Sequence, residues 1–85
     1  MKKIILFLAV ALLATIANAQ EQKEYHKNGQ LYQIGKLENG EKTGEWQFYH
    51  NNGILYAIGK YENGEQTGAW RFYDYNGKPL ESANF

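Results

Sequence analysis

His26, His50 and Asp74 recur at one fixed interval, and all three are residue types that can ligate a metal ion. The interval argues against that chemistry. If each recurrence adds two strands to a sheet, equivalent positions lie about 9.5 Å apart, whereas ligands sit about 2.0–2.2 Å from a zinc ion. A polar position flanking a turn is the expectation instead. Glu38 with Glu62, and Glu41 with Glu65, have a spacing compatible with the paired carboxylates of glycoside hydrolysis. An acid and a base need different surroundings to hold different pKa values, and equivalent positions in a repeat supply similar ones. The string GEKTG, Gly40 to Gly44, lacks the spacing of a phosphate-binding loop. Ser82 is the only serine, cysteine is absent, and no nucleophile–base–acid arrangement appears. The sequence therefore predicts a protein without catalytic residues, cofactor or metal.

The elements that position these residues come after a distinct leader. Met1-Lys2-Lys3 is a short basic start, Ile4 to Ala17 is an apolar run, and Ala17-Asn18-Ala19 has the small-x-small form of a signal-peptidase site. A permanent membrane span needs about 20 apolar residues, so the run is short for one; a core helix or retained anchor is the alternative. Residues 1–19 are thus expected to be a signal peptide and residues 20–85 the exported protein, periplasmic or secreted. Loss of Lys2 and Lys3 would take the formal net charge from zero to −2. The remaining basic side chains form no cluster that could grip a phosphate backbone, which argues against nucleic acid as a partner. A mature chain this small, with no disulfide to staple it, is expected to self-associate or to bind a partner.

Residues 25–48 and 49–72 align without a gap and differ at only seven positions: 51, 54, 57, 61, 66, 69 and 71. A partial third copy follows at 73–85. Repetition at such a period signals stacked units that cannot bury their apolar surface singly. Asn28-Gly29, Asn52-Gly53 and Asn76-Gly77 lie between aromatic-rich alternating runs, which predicts hairpins with two-residue type I′ turns. With Asn52 and Gly53 as the turn centre, Trp46 faces Gly59, Phe48 faces Ala57 and His50 faces Leu55. On the other face Glu45 meets Lys60, Gln47 meets Ile58 and Tyr49 meets Tyr56. Large rings then cover small residues, with Trp70 over Ala83 and Gly35 equivalent to Gly59. Tyr25 is expected opposite Tyr32, and Glu21 opposite Lys36. The intervening ENGEKTG and ENGEQTG read as polar return turns. The fold expected is all-β: a single-layer antiparallel meander of about six short strands, closed at its edge by Pro79.

The run from Gly44 to Gly64, G-x-W-x-F-Y-x-x-N-G-x-L-x-x-x-G-x-Y-x-N-G, resembles the bacterial variant of the MORN repeat, as found in YwqK-type antitoxin proteins. The resemblance covers residues 25–85. It implies an elongated sheet with one hairpin per repeat and no catalytic residues, acting as a binding or scaffold module. Some members are named as toxin-neutralising antitoxins, and the wider family is associated with membrane lipids.

A lone sheet cannot cover both of its own faces. Trp46, Trp70, Phe48, Phe72, Tyr61 and Phe85 are expected on one face as cross-strand packing. Tyr25, Tyr32, Tyr49, Tyr56 and Tyr73 are expected on the other, as a binding face with rigid apolar rings and polar tips. The function expected is an exported, non-enzymatic module that docks a protein partner or a second copy through an aromatic face. Binding to envelope glycan or lipid is the alternative, and toxin neutralisation the special case of a toxin partner.

Overall fold

The computed structural model describes residues 19–85; the signal-peptide expectation concerns residues outside that range, save Ala19. Six strands follow one another: β1 Ala19–Tyr25, β2 Leu31–Glu38, β3 Glu41–Tyr49, β4 Leu55–Glu62, β5 Glu65–Phe72 and β6 Ala83–Asn84. They pair antiparallel in sequence order to make one open six-stranded sheet, the meander that the repeat predicts. Among the described residues there is no helix, and so no second layer.

The two turn families are the reverse of the expectation. Asn39 and Gly40 have φ of 53° and 82°, and Asn63 and Gly64 have 52° and 84°. Glu38 pairs with Glu41 and Glu62 with Glu65, so these are two-residue hairpin turns with left-handed backbone at both centres, the type I′ condition. At the other end of the sheet Gly53 is left-handed, at 87°, but Asn52 is not. Gly53 N–H donates to His50 O at 3.0 Å, and His50 N–H donates to Ile54 O at 2.8 Å. That is a three-residue loop: a type I turn closed by a glycine bulge. The Asn52 side chain has a task that suits this conformation. Its Oδ1 accepts from Ile54 N–H, while its Nδ2 donates to Tyr75 O one repeat further on.

The extra loop residue moves the register at the strand ends. From Glu45 to Phe48 the pairing is as expected, with Trp46 opposite Gly59 and Phe48 opposite Ala57. Beyond a bulge, Tyr49 faces Leu55 instead of Tyr56, and Tyr25 faces Leu31 instead of Tyr32. Glu21 does face Lys36, and Trp70 faces Ala83, with Gly68 and Phe85 exchanging backbone hydrogen bonds at 2.9 and 3.2 Å. Pro79 lies outside β6, in an isolated bridge to Tyr73. Although Glu45 and Lys60 are register partners, the ion pair among the described residues is Lys23–Glu21, exposed and at 3.9 Å.

A second irregularity builds the core. Between β2 and β3 the pairing jumps across Gly35, and Gly44 on the facing strand is left-handed at φ 70°. The bulge sets the Trp46 indole directly on Gly35, so close that a Cβ there would lie 2.1 Å from Trp46 Cδ2. Gly68, Trp70 and Gly59 repeat the arrangement. Each tryptophan thus pairs with the glycine or alanine of the next repeat while its ring covers the glycine of the strand before. The cross-strand partner was right, but the covered residue is the other one.

Candidate docking surface

The buried cluster is Trp46, Phe48, Ala57 and Trp70, with Leu37, Tyr61 and Phe72 packed around it. Trp46 and Trp70 are 0% and 1% exposed, and each Nε1–H donates at 3.1 Å to a backbone carbonyl, of Lys36 and Lys60 respectively. Burying an indole without a partner for its N–H would be costly, so this bond permits the burial. Phe48 lies between the two indoles, its centroid 6.3 Å from Trp46 and 6.0 Å from Trp70. Tyr61 meets both indoles edge-on, at 6.0 and 5.2 Å.

Of the five tyrosines expected on one face, Tyr32, Tyr49 and Tyr56 line one depression, with His26, His50 and Tyr75, and Tyr25 and Tyr73 do not join them. Tyr32 and Tyr56 turn to the tryptophan side, each edge-on to Phe48 at 6.4 Å, and remain 38% and 41% exposed. They are the residues skipped in the register at the two bulges, and a bulge re-aims its side chain. Tyr73 instead lines a depression with Leu55, Ile58 and Arg71 on the opposite face. Tyr49 donates its hydroxyl to Gln47 Oε1 at 2.7 Å, and Tyr25 is exposed at the first strand's end. The surface that results is a shallow depression over the core, lined by Tyr32, Phe48, Tyr56, Tyr61, Trp70 and Phe72.

Lys42 completes this surface at the first repeat. Its Nζ stands 4.8 Å from the Trp46 ring centroid, 5.0 Å from Tyr61 and 5.3 Å from Phe48, within cation–π range of all three. Lys42 did not stand out in the sequence, and Gly44 and Gly68 did so as motif and return-turn glycines, not as bulges. The fixed offset of Gly44 and Gly68 from the tryptophan two residues on was the available signal for the bulge; Lys42 does not recur.

His26 and His50 turn out to stitch repeats together. Their Nε2 atoms lie 2.7 and 3.0 Å from the carbonyls of Tyr49 and Tyr73, so Nε2 carries the proton and donates. Asn28 Nδ2 donates likewise to Asn51 O, and Tyr75, which sequence reasoning passed over, donates its hydroxyl to Asn51 Oδ1. At the third turn Asp74 Oδ1 accepts from the backbone N–H groups of Asn76 and Lys78. These side chains hold the loop ladder.

Burial pushes the Tyr61 phenol up from its ordinary pKa of 10.0, and the neighbouring phenols Tyr32 and Tyr56 add to the shift. The folded state therefore holds this proton more tightly than the unfolded chain. The associated stability is fully present below pH 10 and is lost as pH rises through the folded pKa. Thermal melts between pH 9 and 11.5 should show stability falling above about pH 10, and Tyr61→Phe should flatten that fall. An unchanged alkaline slope in Tyr61→Phe would place its cause elsewhere.

A family model described as the MORN repeat variant matches residues 21–39, 42–63 and 66–85, most of the described chain. Its three units are offset from the repeats that begin at Tyr25 and Tyr49, as a periodic sheet allows, since either turn family can serve as the boundary. No curated protein and no solved structure matches the chain.

Proposed function

This chain belongs to the MORN repeat variant family, and on that footing we propose that it is an exported, non-enzymatic module that docks a protein partner on its tryptophan-side surface. MORN repeats are generally protein- or membrane-binding modules. The observation that carries the protein reading is the state of Tyr32 and Tyr56. Each ring is braced edge-on against Phe48 yet about two-fifths exposed, with no second layer among the described residues to cover it. Exposed aromatic surface of this kind marks contact sites. Tyrosine brings large area with few rotatable bonds, and rings already braced lose little further freedom on binding.

The test is in-cell crosslinking of the tagged full-length protein, with mass spectrometry of the recovered material. A dominant protein partner is expected, lost in the Tyr32→Ala, Tyr56→Ala double variant while its thermal melt stays cooperative. If that variant melts cooperatively and captures the partner undiminished, the surface is wrong. Co-sedimentation with lipid vesicles or cell-wall material, with no protein partner recovered, would replace the reading with an envelope-surface one. A toxin among the partners would make the module a neutraliser. The mass of the recovered chain tests export: loss of residues 1–19 is expected, and an intact N-terminus would overturn it.

A further inference from the structure

The two central repeats build the same three-ring site twice, but only one of them supplies its own cation. In the first, Trp46 and Phe48 stand 6.3 Å apart at 28°, and Trp46 and Tyr61 stand 6.0 Å apart at 77°. One repeat on, Trp70 and Phe72 stand 6.3 Å apart at 26°, and Trp70 and Phe85 stand 6.1 Å apart at 76°. The first site is occupied from within by the Lys42 ammonium, about 5 Å from all three rings. Position 66, the equivalent of Lys42, is glutamine, one of the seven differences between the repeats.

We propose that the second site takes a lysine side chain from the protein partner, in the place that Lys42 fills in the first. The inference deepens the docking reading by naming the side chain that the partner presents. Lys42 shows in this same molecule which ligand such a ring set holds. The negative faces of aromatic rings attract an ammonium, and Gln66 has no charge with which to answer them. Trp70 itself is 1% exposed, so an incoming ammonium reaches its ring by taking the place of the Gln66 side chain. Phe85 is 57% exposed, and Gln66 lies in an exposed position lining the depression beside Trp70 and Phe72. The Gln66 amide makes no hydrogen bond to a described residue, so swinging it into water breaks none. Equivalent sites lie two strands apart, about 9.5 Å, so Lys42 and an incoming ammonium sit about one Debye length from each other and their repulsion is screened.

The measurement is an NMR titration of the mature chain with n-butylammonium, the lysine side-chain analogue, following the indole protons of Trp46 and Trp70. A saturable shift at Trp70 and none at Trp46 is expected. Binding should be about threefold tighter than for 1-butanol, the scale of an exposed cation–π contact. Gln66→Lys should abolish the Trp70 response by filling the site from within, and Lys42→Gln should create a response at Trp46. No shift at Trp70, or an equal one with 1-butanol, would overturn the proposal; so would a Trp46 response as large as that of Trp70 before any substitution. The titration contains no partner. A failed crosslinking search with a responsive Trp70 would overturn the docking reading and leave an ammonium site without a protein donor, and a silent Trp70 with a captured partner would overturn the lysine assignment alone.

Discussion

Gly59→Ala is expected to destabilise the protein by about 3 kcal/mol, at the upper end of what one added methyl costs in a packed core. Gly59 has Trp46 as its strand partner, and the Trp70 indole lies directly on it. A Cβ would stand 2.1 Å from Trp70 Cδ2 and 2.2 Å from Cε2, within the ring and not at the tip of a flexible side chain. The indole must lift, and lifting it breaks the Nε1–H bond to Lys60 O and parts the ring from Tyr61. Relief elsewhere is limited, because the buried cluster has only four members. The sequence contains its own control. Ala83 occupies the equivalent place in the partial third repeat and already holds a Cβ opposite its strand partner Trp70. Ala83→Gly should therefore destabilise by only about 0.5–1 kcal/mol, the loss of strand propensity alone. Urea unfolding followed by tryptophan fluorescence compares the two. Equal midpoints for Gly59→Ala and the unsubstituted chain would show that the indole has more room than the structure gives it.

How far the fold can be read in advance depends on which interaction fixes each part. The register through Glu45–Phe48 was legible, because the small residues Ala57 and Gly59 can face only the large rings if the face is to pack. The tyrosines were not legible. Whether Tyr49 meets Tyr56 or Leu55 depends on one extra residue in the loop, and both turn families carry an Asn-Gly pair. The pair by itself states that a reversal occurs, not how many residues it takes. Asn39 pays a left-handed backbone for the tight turn, whereas Asn52 keeps an ordinary φ and spends its side chain on the next repeat. Because side chains alternate with a period of two, one misplaced residue exchanges the faces. This is why Tyr32 and Tyr56 moved to the tryptophan side. Lys42 was illegible for a related reason: its neighbours Trp46, Phe48 and Tyr61 become its neighbours only after the bulge at Gly44 has tilted the indole.

The same geometry ties the site to the scaffold. The surface proposed for docking is the outer side of the buried cluster that the described residues form, so a change that loosens one indole also moves the rings offered to a partner. Nearest-neighbour contact between repeats is the general condition of such stacked folds. Here the coupling runs through Phe48, which touches Trp46, Trp70, Tyr32 and Tyr56.

Trp46→Ala is expected to cost about 4 kcal/mol, within the range for emptying a buried aromatic site. The indole is fully buried, and its removal uncovers Gly35, orphans the Lys36 carbonyl from its donor and leaves Lys42 without its principal ring. A chain this small carries little reserve, so the variant should lack a cooperative melt in plain buffer and recover one in trimethylamine N-oxide, which favours the compact state. The sharper result comes from combining it with Gly35→Ala under that osmolyte. Alone, Gly35→Ala should destabilise by about 3 kcal/mol, because its Cβ would meet Trp46 Cδ2 at 2.1 Å. In the Trp46→Ala background the obstructing ring is gone and φ at Gly35 is not left-handed. The added methyl should then stabilise, by about 0.5–1 kcal/mol, through the lower backbone entropy of the unfolded chain. The sign of one substitution thus reverses with the presence of one ring. An additive double variant would mean that glycine is required at position 35 for its backbone and not for the indole that lies on it.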